Sequence, residues 1–428
     1  MLVITTSVFP IYFASQAEVA GLLDGRGRPE VEFFGIRVLA TSLLMYAVSA
    51  AFLIVAAVSP LLTALADFSG RKKRFMQFFC YLGALSCMSL FCFTADNLSL
   101  AVLLYIAAAV GFAGSLVLYN SYLPDIATED YVDRLSARGF SLGYIGSAIL
   151  LVGCLALVMG ASKLGMDEAL ASRLSFLLTG LWWGGFALIP FMCLPPDRGP
   201  SGGAPATGYI FNGYRKLGSV WRDLRNDPVL KRFLLSYLFF CMGVQTVIYA
   251  ATPFASVELR MPPQALITIV LILQLVGVAG ASFFARLSGI TDNIQALSLS
   301  VAFWAGICVA GYFVQAGWSF YLLACCIGFA MGGVQSLSRS TYAKLIPENT
   351  PDSASWFSFF DVTEKLAIVI GTSLFGFISQ LTGTMRNSLL ALMVFFALGL
   401  GILMTLRGRI LRMRGAVLPL PAIMRGER

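Results

Sequence analysis

The chain has 428 residues, 58% of them hydrophobic and only 12% charged, with a net charge of +8 and a mean hydropathy of +0.81. Soluble domains carry about 25% charge. Half that figure, with apolar runs of about 20 residues throughout, excludes a soluble domain and indicates an integral membrane protein. The runs are continuous rather than alternating with period two, which sets them apart from β-barrel strands. The bases lie in loops and in the C-terminal tail, so the positive charge does not point to nucleic acid.

About twelve spans are expected, near 2–22, 37–64, 75–95, 99–122, 139–161, 173–194, 232–254, 264–286, 295–315, 317–339, 356–380 and 386–407. Lys and Arg gather on the side of the Arg71–Arg74 loop, about 22 against about 7, which makes that side cytoplasmic and, with an even span count, places both termini inside. The expected location is a bacterial inner membrane. The longest polar break, Pro195 to Arg232, opens as PPDRGPSGGAPATG, which is linker chemistry. It continues as a basic stretch with Trp221 and Leu224, expected to lie as a short helix against the inner leaflet. The expected divisions are therefore a bundle over 1–194, a linker over 195–231, a second bundle over 232–407 and a basic tail over 408–428.

Nine cysteines fall mostly inside apolar runs, without a Cys-x-x-Cys pair and without any histidine, so no zinc site or disulfide framework is expected. They read as small buried hydrophobes. The chain has no GxxxxGK[ST] phosphate loop. It does not read as an enzyme, and no cofactor is expected.

The short loop PLLTALADFSGRKKR (Pro60–Arg74) joins two apolar runs. Asp67, Gly70, Arg71 and Lys72 have the spacing of the loop signature of the major facilitator superfamily, which this loop resembles; Thr63 stands at the signature's first glycine. The two halves also echo each other. Tyr119-Asn120-Ser121-Tyr122-Leu123-Pro124-Asp125 and Ser340-Thr341-Tyr342-Ala343-Lys344-Leu345-Ile346-Pro347-Glu348 both end a span at a Pro-acid pair. Repeated halves mark secondary transporters, with the substrate site at the repeat interface. YNSYLPDIA (Tyr119–Ala127), GFSLGYIGSAILL (Gly139–Leu151), GVQTV (Gly243–Val247) and GGVQSLSRSTYAKLIPE (Gly332–Glu348) resemble the bacterial members of the autophagy-related vacuolar effluxer branch, over essentially the whole chain. The resemblance implies an all-α fold of about twelve transmembrane helices in two pseudo-symmetric six-helix bundles. It also implies alternating access and efflux of small solutes, with amino acids the class associated with the fungal relatives.

Three departures stand out. Relatives carry an Asp-Trp-Ala-Asn-Ser stretch ahead of the segment matching Leu2–Phe13, whereas this chain opens in mid-helix. Met1 to Phe13 spans about 20 Å at about 1.5 Å per residue, short of an apolar core about 30 Å thick. The sequence is therefore expected to be a truncated form; otherwise Glu18 becomes a candidate site residue. Cys241-Met242-Gly243 stands where many relatives have an acid before the glycine, and Gly289 stands where the matching second-half signature has an acid.

Charges inside spans cost a few kcal/mol each, about 3 on lenient scales, and the eleventh span concentrates them: Asp361, Glu364 and Lys365. Asp361 and Lys365 are i,i+4 and can pair, while Glu364 points about 100° from Lys365. The pair reads either as a substrate or proton site or as a structural lock. The resemblance implies that spans one, four, seven and ten line the cavity. That makes Gln245, Thr246 and Gln335 candidates for the translocation path, with Tyr249 and Tyr144 as neighbours. Asp67, Gly70, Arg71, Asn120 and Arg339 are candidates for the inner gate, with Asp67 expected near the start of the eleventh span at Ser355–Phe357. Gly111, Gly114, Gly143, Gly146, Gly328, Gly332 and Gly333 are expected at close helix contacts.

The function expected is secondary transport of a small polar, amino acid-like solute by a monomer, with a coupling proton as a candidate partner. The rivals are a drug or metabolite exporter and, from another class, a non-transporting membrane scaffold or lipid scramblase.

Overall fold

A computed structural model describes residues 8–21, 30–197, 209–261, 263–315, 317–347, 350, 352–382 and 384–417. Helix α1 (Phe9–Val19) is followed by a hairpin of β1 (Glu30–Phe33) and β2 (Ile36–Leu39). Then come α2 (Ala40–Ser69), α3 (Lys72–Ser89), α4 (Leu98–Ser121), the short α5 (Leu123–Ile126), α6 (Glu129–Met159) and α7 (Glu168–Cys193). Helix α8 (Tyr209–Asn226) precedes α9 (Pro228–Val257), α10 (Pro263–Ile290), α11 (Asn293–Phe313), α12 (Gly317–Leu345), α13 (Ser353–Thr382) and α14 (Met385–Val417). Eleven of these helices are long and apolar enough to cross a membrane. Helix α1, with 11 residues, is not among them, and Met1–Ser7, where the truncation is expected, lie outside the described residues.

Polar residues set the helix ends where hydropathy alone does not. Asp227 caps α9 by accepting from the Val229 and Leu230 N–H groups at 2.8 and 3.0 Å. Asp292 does the same for α11 through Gln295 N at 2.7 Å. Gly70 ends α2 at φ +62°, the left-handed position that glycine adopts without steric cost. The helix then restarts at Lys72, so the loop holds only Gly70 and Arg71.

Two expected boundaries move for identifiable reasons. Residues 37–39, read into the second span, form β2 instead, because Phe34 and Gly35 take φ +50° and +82° and make a two-residue hairpin turn. Helix α6 starts at Glu129, ten residues ahead of the expected span at 139. The polar turns from Glu129 to Arg138 are helical but lie beyond the apolar run, so hydropathy does not register them.

The helices alternate in direction, so the Arg71–Arg74 loop, the α6 start, the α10–α11 turn and the α12–α13 connection share one end, called here the basic end. Close backbone approach organises each half. Gly83 meets Gly111 between α3 and α4, and Gly280 and Gly332 press α10 on α12. Gly114, Gly328 and Gly333 are also packed tightly; Gly143 has open space around it and Gly146 has only Trp182 at a distance, contrary to expectation. Between the halves, α2 faces α13 and α6 faces α10. Helix α8 packs on the bundle at the basic end. Its buried Val220 and Leu224 join the core, it packs on α2, and the Trp221 ring sits 5.6 Å from Phe359 of α13. Asp197, just before the undescribed segment, accepts from Lys73 N at 2.8 Å at the same basic end.

Candidate functional site

The middle of the molecule holds one charged cluster. On α13, Lys365 Nζ lies 3.0 Å from Asp361 Oδ1 and 3.7 Å from Glu364 Oε2. The expectation that Glu364 turns away from Lys365 is corrected: both side chains are long enough to converge although their Cα atoms diverge. From α9, Gln245 Nε2 donates to Glu364 Oε1 at 2.6 Å, and the Phe52 ring of α2 lies 5.7 Å from Lys365 Nζ. Asp361 and Lys365 are nearly sealed, with side chains 5% and 6% exposed, while Glu364 is 24% exposed. Glu364 is therefore the most exposed of the three charged groups. Two carboxylates against one ammonium leave a formal charge of −1. Asp361 Oδ2 is buried with no hydrogen-bond partner among the described residues, so the cluster also has acceptor capacity to spare. Tyr249, one turn along α9 from Gln245, is exposed to the same region. Thr246 is buried against Gly371 of α13, where a Cβ would strike its hydroxyl. It is a packing residue between α9 and α13 and does not join the polar face of the cluster.

Toward the basic end, α12 meets α4 and α6. Tyr144 Oη of α6 donates to Gln335 Oε1 at 2.6 Å. One turn further, the buried Arg339 donates from Nη1 to Asn120 Oδ1 at 3.0 Å, from Nε to Ser136 Oγ at 3.0 Å and from Nη2 to the Ser136 carbonyl at 2.7 Å. Its guanidinium lies over the rings of Phe140 and Tyr119, at 4.4 and 5.9 Å. Ser136 Oγ donates in turn to the Ser336 carbonyl at 2.8 Å. Gln335 and Arg339 thus face the other half directly, and the structure joins Asn120 to Arg339.

Two acids complete this end. Asp67 of α2 accepts from Ser355 N and Ser355 Oγ, both at 2.7 Å, and from Ala354 N at 3.3 Å. These N–H groups belong to the first turn of α13 and have no partner within their own helix, and the helix end carries about half a positive charge. Lys72 Nζ donates to Asp125 Oδ2 at 2.7 Å and to Ser353 Oγ at 2.6 Å. Arg71, by contrast, is exposed: the loop turns its side chain outward, and Lys72 supplies the cation that crosses to α13. The second acid is Asp133 of α6. Lys344 of α12 lies 2.7 Å from its Oδ2, Ser288 of α10 donates at 3.1 Å, and Asn293 of α11 donates to Oδ1. Lys344 also donates to Asn293 Oδ1 at 2.9 Å.

The polar contacts at the opposite end described here stay within one half. Arg386 of α14 pairs with Glu258 of α9 at 3.4 Å, and Arg173 of α7 donates to the Phe91 carbonyl.

The family described as "Vacuole effluxer Atg22 like" matches residues 2–409. The chain belongs to the Atg22-like family. It is 30% identical over 404 residues to the MFS-type transporter YxiO of Bacillus subtilis, covering 94% of this chain and 90% of that one. It is 26% identical to autophagy-related protein 22 of Yarrowia lipolytica, over 89% of this chain and 78% of the relative. In fold it resembles the major facilitator transporter FucP, crystallised in the outward conformation, with a TM-score of 0.68 at 13% identity over 94% of this chain and 95% of FucP. It also resembles an outward-facing bacterial homologue of the iron transporter ferroportin, at a TM-score of 0.63 and 12% identity over 95% of this chain and 97% of that one. This Atg22-like chain is a transporter of the major facilitator superfamily with that superfamily's fold.

Reading the sequence of this Atg22-like transporter missed Asp133, Ser136, Ser288 and Lys72 as bridging residues. Asp133 and Ser136 lie in the polar turns ahead of an apolar run, where charges are ordinary. A signal did exist: Asp133, Ser136 and Phe140 fall at i, i+3 and i+7, one face of a helix extended toward the basic end.

Proposed function

We propose that this transporter moves an amino acid-like solute by alternating access, exporting it from the cytoplasm, with the basic end facing inward. The observation that carries the reading is the central cluster. Asp361, Glu364 and Lys365 sum to −1, Glu364 is reachable, and Gln245 holds it from the facing helix. Such a site attracts an ammonium group, because a desolvated negative cluster gains most from a cation that also donates hydrogen bonds. Lys365 is already shared between two carboxylates, so its part is to hold Asp361 and Glu364 in place. The description of the family as effluxers supports the direction, and the excess of bases at the Arg71 end supports the orientation. A proton competing for Glu364 is the coupling ion this reading favours.

The test is reconstitution. Purified protein in proteoliposomes, loaded with labelled alanine, leucine, tyrosine and lysine, is assayed for efflux with and without a pH gradient. Efflux of at least one of these is expected, with a loss of at least tenfold in Glu364→Gln at equal folded yield. Folded protein that moves none of the four, or a Glu364→Gln variant that works like the parent, would overturn the reading.

A further inference from the structure

Arg339 differs in the chemistry of its partners from Lys365, which is as deeply buried, and from the part-buried Lys72, Lys344 and Arg386. Lys72 has Asp125 at 2.7 Å, Lys344 has Asp133 at 2.7 Å, Lys365 has Asp361 at 3.0 Å and Arg386 has Glu258 at 3.4 Å. Arg339, only 5% exposed, has neutral partners: one amide oxygen, the Ser136 and Tyr119 hydroxyls, one carbonyl and two aromatic rings. Among the described residues no ion pair reaches it. Neutral acceptors and ring faces offset only part of the cost of taking a guanidinium from water.

The placement of those partners matters as much as their charge. Asn120 and Tyr119 belong to α4, and Ser136 and Phe140 to α6, whereas Arg339 is on α12, across the seam between the halves. The partners are therefore present only while the basic end is closed. The seat is fitted, since a Cβ at Gly139 would come within 3.0 Å of Nη2 and 3.2 Å of Tyr119 Oη. When the halves part at that end, the guanidinium loses its acceptors on α4 and α6 together, and five N–H donors in a planar fork face the opening. The species that best satisfies such a fork is a planar anion with two oxygens.

We propose that Arg339 is a carboxylate-binding site of the open basic end. A solute carboxylate pairs with the fork while that end is open; Asn120 Oδ1 and Ser136 take its place as the end closes and return the carboxylate to the cavity. This rests on the alternating-access reading above and extends it. The central cluster already crowds two carboxylates on Lys365 and takes the ammonium, and Arg339 supplies the sign that the cluster lacks. The Tyr144–Gln335 hydrogen bond, one helical turn from Arg339 toward the middle, is the next polar station on that path.

The experiment reads Arg339 itself. Phenylglyoxal modifies accessible guanidinium groups and is followed at Arg339 by mass spectrometry. The protein, in proteoliposomes, carries Asp67→Asn and Asp133→Ala to release the basic end, or Asp67→Asn alone if the double variant does not fold; spin-label distances verify the opening. Arg339 is expected to be labelled, and labelling is expected to slow at least tenfold with acetate or leucine and not with leucinamide. Protection by acetate but not by leucine keeps the anion site and removes the amino acid reading. No labelling in the opened protein, or labelling that neither acetate nor leucine slows, overturns the site. As a second variant, Asn120→Asp added to the opening variant gives the fork a fixed carboxylate and should cut solute-free labelling at least tenfold. Unchanged labelling there would also overturn the proposal.

Discussion

The two acids at the basic end, Asp67 and Asp133, fasten the same pair of halves in different ways. Asp67 engages one helix end, through two backbone N–H groups and one hydroxyl of α13. Asp133 engages three separate helices through the side chains of Ser288, Asn293 and Lys344. The repeat of the two halves would lead one to expect the second acid on α10, where Gly289 stands; it stands on α6 instead. Both acids therefore belong to the residues before the linker, and the donors facing them come from after it. For these two acids the seam is asymmetric: both carboxylates stand on one side and their donors on the other. A contact with a helix N-terminus keeps its backbone donors under any side-chain change except proline, whereas a side-chain contact can be dismantled one partner at a time.

The largest expected effect comes from Asp133→Ala, which strands Lys344 in a largely buried site. Breaking such a pair costs about 3 kcal/mol, roughly a hundredfold shift toward the open basic end. Spin labels at Asp130 and Thr291 should report a longer distance, and a distribution like the parent's would show that Asp133 does not fasten the halves. Next in size is the coupling between Asp133 and Lys344. The exchange of Asp133→Lys with Lys344→Asp should recover about 2 kcal/mol relative to the sum of the single changes. Strict additivity in that cycle would reduce the ion pair to a bystander.

Asp67→Asn keeps an acceptor but loses the charge that suits a helix N-terminus. It should open the basic end by about 1–1.5 kcal/mol, roughly tenfold. Hydrogen exchange of the Ser355 amide should accelerate by the same factor; an unchanged rate would mean that α13 is held by something else. The smallest effect is expected from Ser355→Ala, which removes the hydroxyl and leaves the backbone bond, costing about 1 kcal/mol, roughly a fivefold change. If Ser355→Ala proved as damaging as Asp67→Asn, the helix-end picture would give way to a side-chain lock like the one at Asp133.

The helices were legible because apolar runs of membrane length admit few other readings. Their ends were less so, because α6 and α12 continue as polar turns beyond the apolar run. The hairpin at 30–39 escaped because its four-residue strands carry little periodic signal. Asp361, Glu364 and Lys365 were legible because a charge inside an apolar run is costly and conspicuous. Asp133 was not, since its burial arises only when α10, α11 and α12 close over a segment that looks solvent-facing in sequence. Thr246 shows the converse: a polar residue on a helix that the resemblance assigns to the cavity, with its hydroxyl turned onto Gly371. In the same way a tight turn at Gly70 decides between adjacent cations, pointing Arg71 outward and Lys72 across the seam.

The glycine contacts that press α10 on α12 have a mechanical consequence. With backbone against backbone at Gly280 and Gly332, and the Phe283 and Phe284 rings packed on Phe329, the two helices are expected to bend and turn as one stiff beam. Helix α10 has 28 residues, which at about 1.5 Å per residue makes the beam about 42 Å long. Compliance is left to the side-chain seams of α10 with α6 and of α13 with α2, which serve as the fulcrum. On the alternating-access reading proposed above, releasing Asp133 at one end of such a lever is expected to displace the opposite end in the contrary sense.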